Sequence, residues 1–114
     1  MPGPVATFAT PVIITDGATQ TIDCGNCCYF TWTLGATRTV STFLNPAAGQ
    51  VIDMEVTQDA TGSRLLTWPA NVSWATNGTA PTLTVTAAKT DIFRFTWNPT
   101  AAKWRGETVG LNMA

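Results

Sequence analysis

From residue 28 to 34 the chain alternates strictly, with Cys28, Phe30, Trp32 and Leu34 on one side and Tyr29, Thr31 and Thr33 on the other. A period of two sustained over this length predicts a strand with one face in a core. The pattern returns in residues 51–58, where Ile52, Met54 and Val56 point one way and Asp53, Glu55 and Thr57 the other. It returns again in residues 90–97, with Asp91, Phe93, Phe95 and Trp97 opposed to Ile92, Arg94 and Thr96. Shorter runs predict strands over residues 12–15, 19–23, 38–43, 65–68, 72–74, 83–86 and 103–107. Turn residues separate them: Asp16-Gly17, residues 45–50, residues 59–62 and Asn98-Pro99. Gly25-Asn26 reads as the two-residue turn of a tight hairpin. No window has helical periodicity. About eight to ten short, evenly spaced strands predict an all-β fold, an antiparallel β-sandwich or jelly roll. Its predicted core holds Phe30, Trp32, Leu34, Ile52, Val56, Phe93, Phe95 and Trp97.

At 114 residues the chain reads as one domain, large enough to fold without metal or disulfide staples. Residues 11–114 form the β-sandwich domain of this reading. Residues 1–10 form an extended arm, because Pro2, Gly3 and Pro4 block a helix and Pro11 restricts its predecessor. Val5 and Phe8 are the apolar anchors with which that arm is expected to add to a neighbouring subunit. The first residues carry neither a basic segment nor an apolar core, so no signal peptide is read there, and synthesis in a cytoplasm is expected.

Only 11% of residues are charged, against about 25% in ordinary soluble domains. Such a surface suits permanent packing against other subunits. A net charge of -1 supplies no electrostatic footprint for nucleic acid or membrane, so neither is expected as a partner.

The candidate chemistry is thin. Cys24, Cys27 and Cys28 cluster at the predicted hairpin, but tetrahedral zinc needs a fourth ligand and the chain has no histidine. Only Asp23 or a second subunit could complete that set, so no metal and no cofactor is expected. Cys28 reads as a small core residue, and Cys24 and Cys27 as cross-strand neighbours close enough for a disulfide. A reducing cytoplasm favours free thiols. Asp53 and Glu55 share the outer face of one strand, the arrangement of a glycosidase pair. No aromatic platform interleaves with them, and they read as solubilising charges; no enzyme activity is expected. Four of the five tryptophans lie between residues 58 and 106. Trp32 and Trp97 fall on apolar faces. Trp68, Trp74 and Trp104 are expected either in the core or as anchors of a subunit interface.

Several motifs carry a resemblance that spans residues 12–110. They are ITDG at 14–17, the alternating strand at 29–34, ATRTV at 36–40, and NPAAGQ at 45–50. The most specific is EVTQDATGSRLLTW at 55–68, followed by GTAPTLT at 78–84, AAKTDIF at 87–93 and WRG at 104–106. Together they resemble a small β-sandwich module of tailed-bacteriophage virion proteins, found at the ends of tail-fibre proteins and as short stand-alone structural proteins. The resemblance implies a virion structural protein without catalytic residues. With only a short arm in front of it, the module is expected to be a capsid decoration (cement) protein. It would be a homotrimer clamping neighbouring major capsid subunits. The alternative is a tail-fibre or spike tip that recognises the host surface. The cysteine cluster departs from the module, where polar turn residues are expected.

Overall fold

The computed structural model describes residues 11–25, 29–75 and 78–114. They fold as an all-β domain with no helix. Nine strands are present among the described residues: β1 (Val12–Ile13), β2 (Thr19–Asp23), β3 (Tyr29–Leu34), β4 (Arg38–Leu44), β5 (Val51–Gln58), β6 (Leu66–Thr67), β7 (Val72–Trp74), β8 (Thr90–Asn98) and β9 (Lys103–Met113). They form a six-stranded sheet in the order β1-β3-β5-β8-β9-β7 and a three-stranded sheet in the order β2-β4-β6.

The antiparallel expectation is corrected by the pairings. β1 with β3, β3 with β5, β2 with β4, β4 with β6, and β7 with β9 are parallel. Only β5 with β8 and β8 with β9 are antiparallel, so both sheets cannot be built of hairpins. From β1 to β6 the chain alternates between the sheets, and each strand lies parallel to the one two steps earlier. Parallel neighbours need a long crossover, usually a helix. Here a strand of the opposite sheet supplies it, and the strands β1 to β6 wind as a flattened coil.

The same topology removes the predicted hairpin at Gly25-Asn26. β2 and β3 belong to different sheets and do not pair as the arms of a hairpin. Asn26, Cys27 and Cys28 themselves lie outside the described residues. Between β2 and β3 the chain leaves one sheet for the other instead of returning beside its own strand.

The two sheets share one core. From the larger sheet come Phe30, Trp32, Leu34, Ile52, Met54, Val56, Phe93, Phe95 and Trp104; from the smaller, Ile22, Val40 and Phe43. Phe43 joins the layers, its ring 5.1 Å from Phe95 and 5.4 Å from Trp104. Of Phe30, Trp32, Leu34, Ile52, Val56, Phe93, Phe95 and Trp97, expected in the core, all are buried except Trp97, which is only partly covered and packs against Trp104.

The predicted strand at residues 83–86 is absent. No ladder forms there: Thr84 N donates to Asp91 Oδ2, Thr84 O accepts from Gln58 Nε2, and the Val85 and Thr86 carbonyls accept from the Ser63 and Lys89 amides. Leu83 nevertheless points into the core. The last strand runs past its predicted end at residue 107 to Met113, paired with β8 through an irregular register near Ile92.

Candidate functional site

The resemblance motifs converge on the corners of the coil. At the corner after β1, the Asp16 carboxylate accepts hydrogen bonds from Trp32 Nε1 (3.0 Å), Gly35 N (3.0 Å), Arg38 Nε (2.9 Å) and Arg38 Nη2 (2.6 Å). This ties the ITDG turn to the ATRTV strand one coil turn later. At the opposite end, Asn45 Nδ2 donates to Asp23 Oδ1, and Gln50 Nε2 donates to the carbonyl of Cys24. The NPAAGQ loop is thereby stacked on the corner after β2.

The third corner uses the QDATG segment. Asp59 accepts from Thr61 N, Gly62 N and Arg64. Gln58 is buried (2% exposed); its amide donates to the carbonyls of Arg64 and Thr84 and accepts from Arg64 N. Asp91, 1% exposed, receives Thr84 N and Asn112 N. Gly62 has φ +73°, and a Cβ there would lie 2.6 Å from the Val85 carbonyl oxygen, so the motif's glycine is required by both conformation and space. In the WRG motif, a Cβ on Gly106 would lie 2.8 Å from the Trp74 ring. The chemistry of these motifs is cross-linking by hydrogen bonds between segments far apart in sequence. Sequence reasoning missed Gln58 and Asp91 as structural pins. Each occupies an inward position of its strand's alternation, after Ile52, Met54 and Val56, and before Phe93 and Phe95, and a polar residue in that phase is the signal.

Hydrogen bonding sets the charge state of the corner carboxylates. The Arg38 hydrogen bond is the largest influence holding Asp16 below the usual carboxylate value of 3.8; burial opposes it. Arg64 does the same for Asp59, and Asn45 for Asp23. A folded-state value below the unfolded one stabilises the protein in full above the unfolded aspartate value, about 3.9. That contribution is lost as pH falls through the lower folded value. Urea midpoints are therefore expected to hold steady from pH 7 to about 5 and to fall below about 4. Asp16→Asn should be less stable at pH 7 and should show a smaller drop on acidification. An unchanged acid slope in that variant would remove Asp16 from the account.

The outer face of the six-stranded sheet carries the carboxylates considered for catalysis. Cross-strand register places Tyr29, Asp53, Arg94 and Glu107 in one row. Asp53 Oδ1 accepts from Arg94 Nε at 2.8 Å, and Glu55 accepts the Tyr29 hydroxyl. The Glu55 hydrogen bond, with burial and the nearby charges of Glu55 and Asp53, pushes the Tyr29 hydroxyl up to about 12. Both carboxylates are thus engaged by neighbouring strands. A shallow cleft of about 310 Å³ is lined by Ser73 of β7, Thr96 of β8, and Arg105 and Glu107 of β9, among others.

Of the residues expected to meet a partner, Trp104 is fully buried and Trp74 is 6% exposed. The ring of Trp68 packs within 5.3 to 5.4 Å of Trp74, Phe93 and Phe95. Trp74 and Trp104 are core residues with almost no surface to offer a partner, and Trp68 packs against the core while only partly buried. Trp74 stands on β7, an edge strand of the larger sheet, yet its side chain turns inward to the core. Val5 and Phe8 lie outside the described residues.

Among the described residues no group of three or more His, Cys, Asp or Glu side chains is gathered as a metal site would be. Cys24 is a buried free thiol, pushed up to about 12 by burial and by the charge of Asp23, and so a poor nucleophile. No described helix is long and apolar enough to cross a membrane. No family model, curated protein or solved structure matches the chain.

Proposed function

We propose that this protein is a bacteriophage virion structural protein, a capsid decoration protein that binds and stabilises the major capsid shell as a homotrimer. On this reading the two sheets are the layers of a β-sandwich. The observation that carries the proposal is that the motifs of the phage-module resemblance are the residues that pin the coil corners: Asp16 with Arg38, Gln58 with Thr84, Asp59 with Arg64. They are recognisable in the sequence because the fold depends on them. A carboxylate pair already tied to Arg94 and Tyr29, and a chain with so few charges, fit a protein that works by docking.

The outer face of the larger sheet is the natural docking surface, with Ile13 and Val51 exposed beside the polar row. Exposed apolar side chains beside paired charges suit a partner that remains bound. In purified particles of the phage encoding this chain, quantified protein bands are expected to show a copy number comparable to that of the major capsid protein. A handful of copies per particle would favour the tail-fibre tip reading. Absence from the particle would end both.

A further inference from the structure

One row on the outer face of the larger sheet holds an unpaired cation. Ser73 on β7 lies beside Arg105 on β9, and Arg105 lies beside Thr96 on β8. Arg105 is exposed. The ion pairs among the described residues are Arg38 with Asp16, Arg64 with Asp59 and Arg94 with Asp53, and Arg105 enters none of them. Two residues on, Glu107 stands opposite Arg94, whose guanidinium is turned to Asp53 instead. Alternation puts Arg105 and Glu107 on the same face, rooted roughly 7 Å apart along the strand.

Both charges line the cleft of about 310 Å³. Its room comes from small neighbours: Ser73 and Ala75 on one flank, Thr96 on the other, and Gly106 between the two charged residues. Clefts of about 300–1,000 Å³ are the size that holds small molecules. The Trp74 ring packs on Phe93 and Phe95, so it gives the cleft no ring face. What remains is a guanidinium that only donates, a carboxylate that only accepts, and two hydroxyls that do either. The two charges cancel, so a simple anion drawn to Arg105 is repelled by Glu107. A free amino acid matches both signs, but it carries them on one carbon, and the two side chains are rooted roughly 7 Å apart. A ligand with a carboxylate at one end and hydroxyls at the other satisfies every group. Its carboxylate accepts two N–H bonds from Arg105, and its hydroxyls donate to Glu107 and bond Ser73 and Thr96.

We infer that this cleft binds an acidic sugar of the hexuronic type, with Arg105 holding the carboxylate and Glu107, Ser73 and Thr96 holding the ring hydroxyls. With no ring face to stack on, one sugar binds only in the millimolar range, and hydrogen bonds carry the selectivity. The inference is independent of the virion reading. Copy number in particles tests that reading, and sugar binding by the isolated protein tests this one.

The test is an NMR titration of the full chain with glucuronate, run beside glucose, acetate and glycine at equal ionic strength. Glucuronate should shift the amides of Ser73, Thr96, Arg105, Gly106 and Glu107 and saturate, and the other three should shift them far less. Arg105→Gln should weaken glucuronate binding roughly 10- to 100-fold, the loss of hydrogen bonds to a charged group. Glu107→Gln should narrow the preference for glucuronate over acetate. Both side chains are exposed, so neither change disturbs the core, and unshifted amides in β5 check this. No saturable shift with glucuronate overturns the inference, and so does unchanged binding in Arg105→Gln. Equal binding of acetate would make the cleft a plain anion site, and equal binding of glycine a zwitterion site; either result overturns the sugar assignment. A preference unchanged in Glu107→Gln does the same, because the carboxylate would then not read the hydroxyls.

Discussion

Phe95→Ala is expected to lower the free energy of unfolding by about 3–5 kcal/mol, the largest effect of any single change considered for this domain. Phe95 is fully buried at the middle of β8. Its ring lies within 5.1 to 5.4 Å of Phe43, Trp68 and Trp74, so it touches both layers and the segment that joins β6 to β7. Removing it opens a cavity walled by rings that cannot collapse together without moving two sheets. Both the lost burial and the residual cavity count against the variant. Urea denaturation followed by tryptophan fluorescence measures the loss directly. A decrease below about 1 kcal/mol would mean that the layers close over the gap, and that the Phe43 to Phe95 contact does not hold the sheets together.

Gln58→Leu should cost roughly 2–4 kcal/mol, although leucine is similar in size and far more apolar. The substitution deprives the Arg64 and Thr84 carbonyls and the Arg64 amide of their partner at a site where Gln58 is only 2% exposed. A buried backbone group left without a partner costs about 1–3 kcal/mol, and three such losses in one place are partly shared as the loop relaxes. The effect should be local as well as global. Residues 78–86 have no strand ladder of their own; the side chains of Gln58 and Asp91 hold Thr84, and the Ser63 amide holds the Val85 carbonyl. Protease sensitivity in that segment is therefore expected to rise before the sheets unfold. A variant as stable as wild type, with the segment still protected, would show that water can replace the amide.

These two expectations come from opposite ends of what the sequence makes legible. Phe95 was visible at once, because period-two alternation reports which face of a strand is buried and depends only on the local pleat. Gln58 sits in the same inward phase, and its importance depends on a partner, Thr84, that lies 26 residues away. The tryptophans show the same division. Trp32 could be placed in the core from its own strand's alternation, whereas Trp74 and Trp104 needed the position of the opposite layer. The polar pins of the coil corners, Asp16 with Arg38 and Asp23 with Asn45, are each separated by 22 residues and become a site only when one coil turn rests on the next.

The sequence by itself determined the all-β class, most of the buried residues and several strand limits, including those of β2, β5 and β7. It did so because alternation, turn residues and proline act within a few residues of where they stand. It did not determine direction or partnership. Alternation looks the same in a parallel strand with one open face as in an antiparallel one, and Gly25 turns the chain without specifying whether it returns to its own sheet or crosses to the other. That choice rests on the shared core, where Ile22, Val40 and Phe43 are buried only if the chain passes between layers at every turn. The tertiary structure alone decided that the first six strands wind as a coil, because the burial that favours this path joins residues from opposite sheets.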